Sequence, residues 1–326
     1  MSIRTLDLFS GGGGSSYGAR AAGAEIVCGV DAWGGATAAY SANFPKADAL
    51  TRTLTIETRA HDLGSLGRID LLLASPECTN HTCARGNRER DEESRNTAHY
   101  VLNFVHDLEP RWVVIENVIQ MRSWDGYGHI LHGLQHAGYN VRADVLDASR
   151  FGVAQTRRRL FILADRKAAL GPVNGRRGRP PTARSILDPN GTWPSNPLRK
   201  TGRAEATLER AERAISELGP GIPFLIVYYG SDGAGGWQPL DRPLRTITTL
   251  DRFGLVTWDG RTPMLRMLQV PELSRAMGFG SDYCLDVLRQ RRDRIKVLGN
   301  GVAPPVMQSV VSTLTSNTAD VPTQPQ

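Results

Sequence analysis

The sequence predicts an α/β protein built on a doubly wound, mostly parallel sheet, with a smaller second unit. Three observations carry that expectation. Short Val/Ile/Leu-rich runs alternate with longer amphipathic ones through about the first 165 residues. The first apolar run feeds directly into Gly11-Gly12-Gly13-Gly14 and then into a helical pattern. From 166 to 204 the composition shifts to Arg, Pro and Gly. Alternation of apolar strands and helices is the pattern of a parallel sheet covered on both faces. Such sheets bind ligands at the carboxyl ends of their strands.

Element by element, strands are expected at Arg4–Phe9, Glu25–Val30, Ile69–Ala74, Trp112–Glu116, Asn140–Leu146 and Arg159–Ala164. Helices are expected at Ser15–Ala22, Gly35–Asn43, Thr97–Leu108 and His129–Ala137. The stretch GPVNGRRGRPPTARS reads as a surface linker. Glu205–Leu218 has the spacing of a charged amphipathic helix, Pro223–Tyr229 that of a strand, and Ala303–Leu314 that of a last helix before a polar tail. The organisation expected is a catalytic and cofactor-binding domain over 1–185, a small target-recognition domain over 186–284, and a segment over 285–326 that returns to the first domain.

Thirty-nine basic residues against 33 acidic ones give a net charge of +6 and a pI near 9.3, which suits a polyanionic partner. Four scattered cysteines (Cys28, Cys78, Cys83, Cys284) do not make a disulfide framework. No apolar run has the length of a membrane span, and the opening MSIRTLDLF has no signal-peptide layout. The expectation is a cytoplasmic protein with reduced thiols, no membrane association and no metal.

In the glycine run, backbone amides can approach a bound ligand closely, because glycine adopts positive φ freely. Phe9 and Ser10 lead into Gly11, Gly13 and Gly14, and the next strand is followed by Asp31 and Ala32. A carboxylate there suits the ribose hydroxyls of an adenosine. Phe9 suits stacking on an adenine face, and Asp62 suits the adenine amino group. A nicotinamide nucleotide would use much the same arrangement, so these residues define a nucleoside-containing cofactor without fixing its identity.

At the other end of the expected cleft, Ser75-Pro76-Glu77-Cys78 follows a strand, Glu116-Asn117-Val118 ends the next one, and Gln155-Thr156-Arg157-Arg158-Arg159 enters another. In this order, DLFSGGGG, VDAWGGATAAYSANFP, SPEC, IENV, QTRRR, RPLRTITT with PELSRAMGF, and LGNGVAPPV resemble the successive motifs of the DNA cytosine-5 methyltransferase family across nearly the whole chain. The resemblance implies a Rossmann-like methyltransferase fold and S-adenosyl-L-methionine as cofactor. It implies Cys78, Glu116, Arg157 and Arg159 as catalytic residues. Asn300 and Val302 join the cofactor set, and Pro76, Glu77, Thr79, His81, Asn117 and Gln155 form the substrate set. It also implies DNA as partner, a cognate restriction endonuclease in a restriction-modification setting, and a monomer.

The chemistry explains the residue types. Addition of a Cys78 thiolate to C6 of cytosine makes C5 nucleophilic, splitting one hard step into easier ones. A protonated Glu116 donates to N3, and Arg159 holds O2. The target must be flipped out of a duplex. Two features depart from the family pattern. Glu77 stands where proline is usual before the nucleophile, and a carboxylate there raises the thiol pKa. The recognition region is also short. These leave open the same fold and donor acting on RNA, a free nucleotide or a modified base, or an inactive DNA-binding homologue. Residues 84–99 resemble the family's loop that closes on DNA. RRGRPP (Arg176–Pro181) contains the Arg-Gly-Arg-Pro core of an AT-hook, set against the plainer reading of a basic surface loop.

Overall fold

The computed structural model describes residues 2–76, 92–229 and 235–316, with side chains in the helix Glu92–Leu108 from Thr97 onward. The expected positions Glu77, Cys78, Thr79, His81 and Cys83 lie outside the described residues.

The first sheet takes seven strands: β1 (Ile3–Leu8), β2 (Ala24–Asp31), β3 (Asp48–Thr51), β4 (Leu71–Ala74), β5 (Trp112–Asn117), β6 (Asn140–Asp147) and β7 (Arg158–Asp165). Their order is β3-β2-β1-β4-β5-β7-β6. Pairing is parallel from β3 through β5, and only β7 runs against its two neighbours. Helices α1 (Gly14–Ala21), α2 (Gly34–Asn43), α3 (Glu92–Leu108), α4 (Gly126–His136) and α8 (Pro304–Ser316) cover the faces.

Every residue of β4 and β5 is buried, and the period of two sorts their side chains between two cores. Leu72, Ala74, Val113 and Ile115 join Phe104 of α3 and Leu134 of α4 on one face. Leu71, Leu73, Trp112 and Val114 join Tyr40 of α2 and Val310 of α8 on the other. Burial on both sides explains why these strands are written as continuous apolar runs. The chain winds outward from β1 in both directions, so the crevice beyond β1 and β4 is the topological switch point.

A second, antiparallel sheet has the order β10-β9-β11-β12-β8, from β8 (Asn196–Pro197), β9 (Phe224–Val227), β10 (Trp237–Pro239), β11 (Phe253–Asp259) and β12 (Thr262–Met267). Phe224 and Ile226 face α5 (Glu205–Leu218) with Ala211 and Ala214. Leu225 and Val227 face the cluster that includes α6 (Val270–Met277) and Ile295 of α7 (Arg291–Asn300). A bridge between Gln155 and Leu244 ties the two sheets' connections together.

The expected linker over 166–204 needs correction. Val173, Ala183, Ile186 and Leu198 are buried, and Ala183 and Arg184 donate backbone hydrogen bonds to Arg242 and Leu240. The segment is a strap with apolar anchors, not a free surface loop. Among the described residues no helix is long and apolar enough to cross a membrane.

Candidate active site

β1 opens into the glycine loop with Phe9 at φ 55 and Gly11 at φ 53, and Gly13 caps α1 at φ 87. Phenylalanine in the left-handed region is uncommon and costs backbone energy. Asp31, at the end of β2, accepts from Gly11 N through Oδ2 and from Trp33 N through Oδ1, each at 2.9 Å. Its carboxylate therefore shapes the loop. Later segments close the loop from behind. Tyr283 Oη donates to the Gly12 carbonyl at 2.8 Å, and a Cβ on Gly14 would lie 2.4 Å from the Val302 carbonyl oxygen. Only glycine permits that approach. Asn300 is the exposed last residue of α7. Ala32 is exposed beyond Asp31.

Two observations fit a polar nucleoside ligand here. The Ser10 hydroxyl is buried without a hydrogen-bond partner, and nothing stands within 4 Å of the place a Gly11 Cβ would occupy. Asp62 sits in the short turn Ala60–Leu63, where Oδ2 accepts from Arg59 N and Oδ1 lies 3.7 Å from Arg52. That hydrogen bond and the nearby His61 and Arg52 charges hold its carboxyl below the usual range.

Across the switch point, Ser75 N donates to the Leu8 carbonyl and Ser75 Oγ lies 3.4 Å from Ser15 Oγ of α1. Asn117 Nδ2 donates to the Pro76 carbonyl while its Oδ1 accepts from Val118 N. The chain leading to Cys78 is thus gripped on both sides two residues before it. Glu116 is buried at the end of β5, with Arg159 Nε 3.4 Å from Oε1. Burial pushes the Glu116 carboxyl above its ordinary range, and Arg159 and Arg157 pull the other way.

Arg157 and Gln155 both spend their side chains on contacts inside the protein. Arg157 donates to the carbonyls of Ile247, Gly299 and Gly301 at 2.8–3.1 Å. It joins the start of β7 to the segment before β11 and to the end of α7. Gln155, expected to touch substrate, is fully buried. Its amide donates to the Ala276 carbonyl and accepts from Ile247 N, so both polar ends are committed inside the protein. Residues that the sequence did not single out include Tyr283 behind the glycine loop and Trp33 at the mouth of β2, covered by Lys296 Nζ at 4.0 Å from its ring centre. The indole two residues past Asp31 was a visible signal; Tyr283 carried none, because its partner lies 271 residues away. Among the described residues no group of three or more His, Cys, Asp or Glu could hold a metal.

A seven-stranded sheet with one reversed strand, a glycine loop at the switch point and a buried glutamate beside it define the Rossmann-like methyltransferase class. The C-5 cytosine-specific DNA methylase family model matches residues 3–218, and the chain belongs to that family. Type II methyltransferase M.AgeI of Thalassovita gelatinovora is 34% identical over 190 residues, 55% of this chain and 42% of that one. M.HgiDI of Herpetosiphon aurantiacus is 33% identical over 52% of this chain and 55% of its own length. The chain thus spans about half the length of these curated relatives. M.AplI of Arthrospira platensis aligns at 25% identity over 98% of this chain and 88% of its own. The Entamoeba histolytica methyltransferase EhMeth shares the fold with a TM-score of 0.71 at 15% identity, covering 98% of this chain and 99% of the other.

Proposed function

We propose that this chain transfers a methyl group from S-adenosyl-L-methionine to C5 of a flipped-out cytosine in DNA, with Cys78 as nucleophile. The observation that carries the reading is Glu116. A carboxyl buried at a strand end, with its pKa raised, sits beside Asn117, which grips the approach to Cys78. Family membership and the type II relatives' names support DNA as substrate and a restriction-modification setting with a cognate endonuclease.

The Ser10–Gly14 loop, Phe9, Asp31, Ala32, Asp62, Asn300 and Val302 would hold the cofactor, which supplies an electrophilic methyl group when bound. Cys78 forms the bond to C6, and the electron density pushed onto C5 takes the methyl. Glu116, whose burial raises its carboxyl pKa, donates at N3 as that charge develops. Arg159 binds O2 of the same ring, and its charge opposes the effect of burial on the Glu116 carboxyl. Loss of the C5 proton then expels the Cys78 thiolate and restores the aromatic ring. Arg157 acts through others by fixing the end of α7 against β7. Pro76, Glu77, Thr79 and His81 are the residues proposed to contact the base.

The test is covalent trapping. With tritiated S-adenosyl-L-methionine and DNA carrying 5-fluorocytosine, the parent protein forms a denaturation-resistant adduct and Cys78→Ala forms none. Transfer of label to RNA or to free nucleotide, with no adduct on any DNA, would overturn the DNA assignment.

A further inference from the structure

Between Asp165 and Asp188 the chain has no acidic residue but carries Arg166, Lys167, Arg176, Arg177, Arg179 and Arg184. The basic stretch is fixed at a definite place. β6 ends opposite the start of β7, with Asp147 paired to Arg158. The same end of β7 pairs with Asn117 of β5. The turn after β6 is therefore on the crevice side of the sheet. Gly175 lies against the backbone of Arg150, where a Cβ would come within 2.7 Å of its carbonyl oxygen. Arg176 N donates to that same carbonyl, and the Arg176 guanidinium lies over Gly152. Farther along, Ala183 and Arg184 are bonded to Arg242 and Leu240 beside the second sheet. The strap thus runs from the catalytic sheet to the recognition segment.

Its middle is different from its ends. Arg177, Gly178 and Arg179 are exposed, and Gly178 adopts φ +105 with nothing within 4 Å of a Cβ position. Among the described residues no carboxylate lies within ion-pair distance of Arg177, Arg179, Arg184 or Arg242. Two exposed arginines on either side of a glycine offer guanidinium groups on a slim backbone. That shape suits a narrow groove of strongly negative potential, which is the minor groove of A·T-rich DNA.

We propose that Arg177-Gly178-Arg179 is a minor-groove clasp that engages A·T-rich duplex flanking the methylation target. The inference rests on the DNA reading above and adds a second contact, outside the base-flipping crevice, with its own sequence preference. It gives a short recognition region extra purchase on the duplex without enlarging the second sheet.

The experiment compares the parent with Arg177→Ala/Arg179→Ala and with Arg177→Lys/Arg179→Lys, on duplexes with one target and either A·T or G·C flanks. For the parent, binding is tighter on A·T flanks. The alanine pair loses roughly tenfold in affinity there and lowers the salt dependence by about two counterions. Netropsin, which fills A·T minor grooves, weakens the parent to the level of the alanine pair and leaves that variant unchanged. The lysine pair keeps the salt dependence and loses the flank preference, because a point charge does not read groove shape. Methyl transfer at saturating DNA is unchanged in both variants. Equal affinity of parent and alanine pair on A·T flanks, or an equal loss on both flanks, overturns the clasp while parental methylation of DNA still stands. Absence of methyl transfer to DNA by the parent overturns the functional reading itself, whatever the clasp variants do.

Discussion

The glycine loop after β1 is held largely through the backbone, whereas the end of β5 is held by buried charge. In the first region Gly11, Gly12 and Gly14 meet Asp31, Tyr283 and the Val302 carbonyl at distances that leave no room for a side chain at Gly14. In the second, Glu116 and Arg159 stand 3.4 Å apart in a water-poor strand end, and the balance between burial and attraction sets the protonation state. The first arrangement fixes a shape; the second tunes a carboxyl group. A cofactor that must be gripped in one pose needs the former. A group that must hand over a proton at the right moment needs the latter.

The sharpest way to separate the two is Glu116→Gln. Turnover is expected to fall by about 100- to 10,000-fold, the usual span for losing a positioned acid, with cofactor affinity unchanged in equilibrium binding. A loss of less than tenfold would remove Glu116 as the proton donor.

Asp7 tests whether buried charge also lies beneath the glycine loop. Its carboxyl is completely buried on β1, accepts from Ser16 Oγ at 2.7 Å and leaves Oδ1 without a partner. Burial pushes its pKa from 3.8 up to about 7. A raised acid binds more protons folded than unfolded between those values. Its contribution to stability is therefore complete below about 4 and lost as pH rises to about 7, by up to roughly 4 kcal/mol. Asp7→Asn should flatten that part of the curve in urea unfolding from pH 4 to 8. A curve parallel to the parent's would mean that Asp7 ionises freely.

The smallest effect is expected from Tyr283→Phe, which deletes one buried hydrogen bond to Gly12. Stability should fall by about 1 kcal/mol, and cofactor binding should weaken severalfold while the pH profile of turnover stays put. A shifted profile would show that the two regions are coupled.

The catalytic sheet was legible because its strands are buried on both faces. β5 and β7 fall within a residue of the apolar runs at 112–116 and 159–164. β3 was missed because DALT is half exposed and has no apolar run. The strands of the second sheet other than β9 escaped notice for a related reason. β8 and β10 have two and three residues, and β11 and β12 mix glycine, proline and charge with their apolar positions. At the site, Glu116 was visible from its place at a strand end. The bonds of Arg157 to carbonyls 90 to 144 residues away depend on tertiary packing and leave no local mark. The same holds for the bonds of the buried Gln155 amide.

The contact between Tyr283 and Gly12 also has a temporal meaning. A growing chain makes residues 11–14 early, yet the parts that seat them come from about 283 to 302. At ordinary synthesis speeds of roughly 5–20 residues per second, this is a wait of about 15 to 60 seconds. During that interval the ribosome-bound chain has its first strands but lacks the groups that close the nucleotide loop. The glycine loop is therefore closed late, once the residues around 283 and 302 have been made.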